Sequence, residues 1–208
     1  MVRVKICGIT NAEDAMVSVM SGADALGFVF FRESPRYITP DAAASIIRML
    51  PPFVSTVGVF VNAPVERVRE VVMRAGLTHA QLHGEESPED CRALGSKAIK
   101  AFRVDKISDL APIEKYSSCA SAFLLDAYSK TAFGGTGMTF NWDVAVEAKR
   151  YGRIILAGGL TPENVADAVH RVQPYAVDTS SGVEAEKGRK DHHKVRMFIA
   201  RAKASLNA

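Results

Sequence analysis

Cys7 ends a short apolar run, Val2–Ile6, and is followed by Gly8-Ile9-Thr10-Asn11, which reads as a turn and a helix start. A thiol placed there can take a proton if its surroundings bring its pKa toward the working pH. Asp126 follows another apolar run, Phe123–Leu125, and a carboxylic acid in that place can give a proton. Arg36, behind Ser34-Pro35, has a planar fork that can hold a carboxylate through two parallel hydrogen bonds. Gly158-Gly159 and Ser180-Ser181-Gly182 each follow a late apolar run. Small residues let backbone amides approach an anion, so these two loops are candidates for holding a phosphate. Each group also has a plainer explanation: a packed thiol, a loop-capping carboxylate, a surface ion pair, two tight corners.

Spacing alone does not bring these residues together; a fold must. Eight apolar, β-rich runs recur along the chain: Val2–Ile6, Ala25–Phe30, Thr56–Val61, Ala80–Leu82, Ala98–Val104, Phe123–Leu125, Ile154–Ala157 and Ala176–Val177. Buried parallel strands look continuously apolar in this way. Helical patterns separate them. Ala15, Met16, Val19 and Met20 share one face, and Pro64 opens a stripe of Val65, Val68, Val71, Val72 and Ala75 that Gly76 closes. Asn141 caps a start at Trp142, and Thr161-Pro162-Glu163 reads as another capped start. Val195, Phe198, Ile199, Ala202 and Leu206 form the face of a last helix.

Eight such units in 208 residues predict a (β/α)₈ barrel at the short end of its range, as one domain over residues 1–208. A doubly wound open sheet is the rival, but its glycine-rich loop belongs after the first strand, where Cys7-Gly8-Ile9-Thr10 stands instead. In a barrel the chemistry gathers at strand exits, and phosphate is often held after strands seven and eight. The exits here carry Cys7, Phe31 to Arg36, Asn62, His83-Gly84-Glu85, Arg103, Asp126, Gly158-Gly159-Leu160 and Asp178 to Gly182. His83 is a polar lining residue with no assigned chemistry. Gly134-Gly135-Thr136-Gly137, after the sixth strand, reads as a flap able to close over a ligand, or as a flexible turn.

Composition narrows the rest. The formal net charge is +3 and no basic block is interleaved with aromatics, so nucleic acid is not an expected partner. Lys187-Gly188-Arg189-Lys190 reads as a solvated helix entry. No run approaches the roughly 18 apolar residues of a membrane span, and no signal peptide is read at the N-terminus. Three widely spaced cysteines, Cys7, Cys91 and Cys119, fit reduced thiols in the cytoplasm, the last two as packing residues. No metal-ligand cluster and no dinucleotide motif is read.

Several strings in order carry a resemblance over nearly the whole chain: Lys5-Ile6-Cys7-Gly8-Ile9-Thr10, Ser34-Pro35-Arg36-Tyr37, Gln81-Leu82-His83-Gly84, Gly134-Gly135-Thr136-Gly137, Ala157-Gly158-Gly159-Leu160-Thr161-Pro162-Glu163-Asn164 and Asp178-Thr179-Ser180-Ser181-Gly182-Val183-Glu184. They resemble phosphoribosylanthranilate isomerase of tryptophan biosynthesis. The resemblance implies an aldose–ketose (Amadori) isomerisation of N-(5-phosphoribosyl)anthranilate, with Cys7 as general base and Asp126 as general acid. It implies Arg36 on the anthranilate carboxylate and the two late loops on the phosphate. It implies no metal or organic cofactor, and an anionic small molecule as partner rather than nucleic acid or membrane. Nothing in the residues specifies association with other enzymes of the pathway. Thr179 departs from the family, which more often has an apolar residue there. Another phosphosugar isomerase or epimerase, and a catalytically inactive sugar-phosphate binder, are the competing functions. Cys7 at the first exit argues against a second activity on the related aminoaldose phosphate of histidine synthesis, where paired aspartates serve.

Overall fold

In the computed structural model, residues 1–127 and 142–204 are described. Eight parallel strands close into a barrel in sequence order: β1 (Arg3–Ile6), β2 (Ala25–Val29), β3 (Ser55–Phe60), β4 (His79–Leu82), β5 (Ala98–Val104), β6 (Ala122–Ala127), β7 (Ile154–Ala157) and β8 (Ala176–Thr179). Closure runs through β1 and β8, where Lys5 lies opposite Asp178 and Ile6 opposite Thr179. Outside the barrel lie α1 (Ala12–Met20), α2 (Pro40–Ile47), α3 (Val65–Ala75), α4 (Pro88–Leu94), α5 (Trp142–Ala148), α6 (Val165–Val172) and α7 (His192–Ala204).

Two apolar layers hold this arrangement. Residues such as Val4, Ile6, Leu26, Phe28, Leu125 and Leu156 face the helices and are buried with Val68, Val71, Phe198 and Ile199. Alternate positions point inward, because side chains in a strand alternate with period two. Val57, Ile99, Leu124, Ile155 and Ala176 fill the lower interior, and Cys7 packs with Val29 and Val59 above them.

The eight strand expectations hold: β5 and β7 have the expected ends, and the other ends shift by at most two residues. The helices need four corrections. The fifth outer element is a 3₁₀ segment, Ile107–Tyr116. Pro112 sits inside it, lacks the N–H that an α-helix would use, and crowds the preceding turn. The start read at Thr161 falls later, at Val165, behind Asn164. In α1 the buried face is Asp14, Ala15 and Ser18, while Met20 is exposed. Asp14 is drawn inward by His192 Nε2 at 2.9 Å and the Lys190 N–H at 2.9 Å. Lys187 to Lys190 is no helix entry: it turns an antiparallel hairpin, β9 (Glu184–Glu186) and β10 (Arg189–Lys190). Asn141, Leu206 and the flap residues Gly134, Gly135, Thr136 and Gly137 lie outside the described residues. No helix among the described residues is long and apolar enough to cross a membrane.

Candidate active site

Each mouth of the barrel opens on a cavity. The one at the strand starts is about 410 Å³ and lined by residues such as Arg3, Phe53, Arg153 and Tyr175. The one at the strand exits is about 300 Å³. Into the second come Cys7, Arg36, His83, Asp126, Gly158, Gly159, Ser180, Ser181 and Gly182. Every candidate from the sequence that is described thus meets in one space. Other exit residues do not. Arg103 and Asn62, for example, line neither cavity; the Asn62 side chain instead accepts the Glu85 N–H at 2.6 Å.

Cys7 follows β1, with its N–H bonded to the Thr179 carbonyl at 2.8 Å. Burial pushes the thiol above its usual pKa, with Lys5 opposing that rise. A base at this position therefore works from a small ionised fraction unless ligand binding changes the field. Asp126 stands at the end of β6, three strands away the short way round the ring. Its side chain is 36% exposed, and Oδ2 lies 3.4 Å from His83 Nε2. His83 Nδ1 is in turn 3.0 Å from the Gln81 amide nitrogen. An amide N–H donated to Nδ1 leaves the ring proton on Nε2, aimed at Asp126. His83 is thus more than lining, and Gln81, buried in mid-strand, was not singled out from sequence. Its Oε1 is buried without a partner among the described residues.

Arg36 is held in a way the sequence reading did not include. Its Nε and Nη2 donate to the two carboxylate oxygens of Glu184 at 2.7 and 2.6 Å. Burial raises the Glu184 carboxyl, but Arg36 and Lys190 outweigh it and the net shift is downward. A guanidinium has five N–H donors, so the Nη1 pair and one Nη2 hydrogen have no partner among the described residues and could meet a carboxylate. Lys190 Nζ also bonds Glu184, at 3.1 Å, and the Ser180 carbonyl at 3.1 Å. The hairpin read as a solvated entry therefore carries two site-building side chains. Gly8, at φ +78°, lies directly beneath Arg36: a β-carbon there would come within 2.5 Å of Arg36 Cδ.

The two late loops face each other. Gly158 and Gly159 have φ of +83° and +68°, which side-chain-bearing residues rarely adopt. Asn164 Nδ2 holds the Gly159 carbonyl at 3.0 Å, and because a peptide unit is planar the Leu160 N–H points the opposite way. Thr179 Oγ1 donates to the Leu160 carbonyl at 2.8 Å, so its hydroxyl ties the loops together. The departure at Thr179 thereby finds a structural use. Ser180 Oγ is buried without a partner among the described residues. Backbone amides and serine hydroxyls line this part of the cavity, with the helical turn Ser181–Val183 behind them, an arrangement able to hold an anion.

Fold and site together define a (β/α)₈ barrel of the enzyme type, with a thiol and a carboxyl across one exit mouth from each other and two facing glycine and serine loops beside them. The family model for N-(5'phosphoribosyl)anthranilate (PRA) isomerase matches residues 4–201. The N-(5'-phosphoribosyl)anthranilate isomerase of Geobacter sulfurreducens is 61% identical over 203 residues, covering 98% of this chain and 99% of that one. The isomerase of Geobacter metallireducens is 59% identical over 204 residues, 98% and 100% of the two chains. The crystal structure of the Thermotoga maritima phosphoribosyl anthranilate isomerase superposes with a TM-score of 0.91 at 47% identity, covering 98% of this chain and all of that one. This chain belongs to the phosphoribosylanthranilate isomerase family. A further relative, with TM-score 0.88 and 46% identity, was solved with reduced 1-(o-carboxyphenylamino)-1-deoxyribulose 5-phosphate bound.

Proposed function

We propose that the chain, acting as one catalytic domain, converts N-(5-phosphoribosyl)anthranilate to 1-(2-carboxyphenylamino)-1-deoxyribulose 5-phosphate at the strand-exit mouth. The observation that carries this reading is the convergence of Cys7, Asp126, Arg36 and the two loops on one cavity of about 300 Å³. The substrate has three features to match: a phosphate, a carboxylate, and a ribose to be opened between them. Asp126 protonates the ring oxygen, and the C1–O bond breaks as the anilino lone pair forms a C1=N bond. The Cys7 thiolate takes the proton from C2, and the electrons of that C–H bond form the C1=C2 enolamine. Proton return to C1 and loss of the C2 hydroxyl proton give the ketone. The oxidation at C2 is balanced by reduction at C1, so the reaction needs no external redox partner. The three free thiols, Cys7, Cys91 and Cys119, suit a reducing cytoplasm.

Growth tests the function. In a bacterial strain lacking its own phosphoribosylanthranilate isomerase, this chain is expected to restore growth without tryptophan. Failure of the expressed, folded chain to do so would remove the proposal.

Two parts of the site make separate predictions. A hydrogen bond to a charged group contributes about 1.5–3 kcal/mol, so Arg36→Met should raise KM by roughly tenfold or more. Phosphoribosylaniline lacks the carboxylate. If the variant is impaired equally on both compounds, Arg36 does not read that group. For the cradle, inorganic phosphate should raise Tm more than chloride at matched ionic strength, because a ligand of the native state stabilises it. Around Gly159 a β-carbon would meet nothing within 4 Å, so a larger side chain would project into the open cradle. Gly159→Leu is expected to abolish the phosphate effect; an undiminished rise in Tm would place the anion elsewhere.

A further inference from the structure

Beneath Cys7 lies a buried ion pair that the mechanism above does not use. Lys5 Nζ bonds Asp178 Oδ1 at 2.9 Å, with the side chains 4% and 9% exposed. The two residues face each other across the β1–β8 seam, one inward-facing position below Cys7. Gly27 shows how close Lys5 comes to the sulfur: a β-carbon there would lie 2.7 Å from Cys7 Sγ and 3.1 Å from Lys5 Nζ. The ammonium thus stands beside the sulfur, close enough for each charge to act on the other.

We infer that Lys5 is a positioning residue that supplies the counter-charge of the Cys7 thiolate, and that Asp178, by sharing that ammonium, limits how much of it the sulfur receives. The consequence for turnover rests on Cys7 being the base; the effect on the sulfur does not.

The physical reason is burial. A thiolate taken out of water needs a nearby cation, and burial is the largest influence on this thiol. Other charged groups face it. Lys190, on β10, favours the thiolate, and Asp178, on β8, opposes it. Arg36, on the loop after β2, also interacts with it. Asp126 and His83 act on Asp178 from β6 and β4. Lys190 and Arg36 are both bonded to Glu184. Of these charged groups Lys5 acts on the sulfur most strongly. Burial lowers the Lys5 pKa, but Asp178 and Cys7 together outweigh it, so Lys5 stays a cation. A pair that merely closed the barrel would not require its ammonium to stand beside the sulfur.

The test is the pH dependence of Cys7 alkylation by iodoacetamide in the whole protein, read by peptide mass spectrometry with buried Cys91 and Cys119 as internal references. The rate follows the thiolate fraction. Lys5→Met should move the titration up by about one pH unit or more, a tenfold loss of reactivity at fixed pH. Asp178→Asn keeps a hydrogen-bond acceptor and removes the charge, so it should move the titration down. Lys5→Met leaves Asp178 without its partner and is liable to unfold. The double variant Lys5→Met/Asp178→Asn carries no unpaired charge and, because Lys5 outweighs Asp178 at the sulfur, should titrate above wild type but below the single lysine variant. A double variant that titrates like wild type, or an upward shift in Asp178→Asn, overturns the inference. The pH limb of kcat/KM separates the two readings. If alkylation shifts as stated and that limb stays fixed, Lys5 tunes the sulfur as inferred and Cys7 is not the base.

Discussion

Cys7→Ala is expected to abolish turnover of phosphoribosylanthranilate while leaving the fold intact. The substitution removes one sulfur from a small cluster with Val29 and Val59. The stability cost of such a small deletion is about 1 kcal/mol. The catalytic cost is far larger, because no other described side chain at that exit can take the C2 proton. A general base contributes about 10²–10⁴-fold, and in the proposed reaction Cys7 is the group that takes the C2 proton. Its pH signature follows from burial, which raises this thiol above its usual range. The reactive form is deprotonated, so kcat/KM should climb with pH until the raised pKa is passed. A product analogue should shield Cys7 from alkylation more than it shields Cys91 or Cys119. Full activity after selective alkylation of Cys7 would refute its role.

Asp126→Asn should lower kcat by about 10²–10⁴-fold with little change in KM. The amide keeps the shape of the side chain and its place 3.4 Å from His83 Nε2, but has no acidic proton to give. The substrate should still be held, because Arg36 and the glycine and serine loops are separate from β6. A variant within about threefold of wild-type kcat would take Asp126 out of the mechanism, since acid catalysis is larger than that.

The parts of the molecule that the sequence made legible share a physical cause. Parallel strands buried on both faces must be apolar, so runs such as Ala98–Val104 and Ile154–Ala157 have the observed ends of β5 and β7. Strand exits then follow, and with them Cys7, Asp126 and the two late loops. What stayed hidden depends on pairings that only the folded chain makes. Arg36 and Glu184 are 148 residues apart, and only the closed barrel brings them together. Lys5 and Gln81 are polar residues inside apolar runs; their partners, Asp178 and His83, are supplied by the barrel interior. Lys190 looks solvated in a basic string but is 5% exposed, because the hairpin folds it onto Glu184. The fifth outer segment carries no decisive pattern: Leu110 and Ile113 are three apart, which suits a 3₁₀ turn as well as an α-helix.

The loss of anthranilate fluorescence after mixing excess folded enzyme with phosphoribosylanthranilate tests the central claim most directly. The account predicts complete conversion in a single turnover by wild type, with the ketone product trapped by borohydride. It predicts no conversion by Cys7→Ala at equal Tm. No decay with wild type, or the same decay with Cys7→Ala, would contradict it.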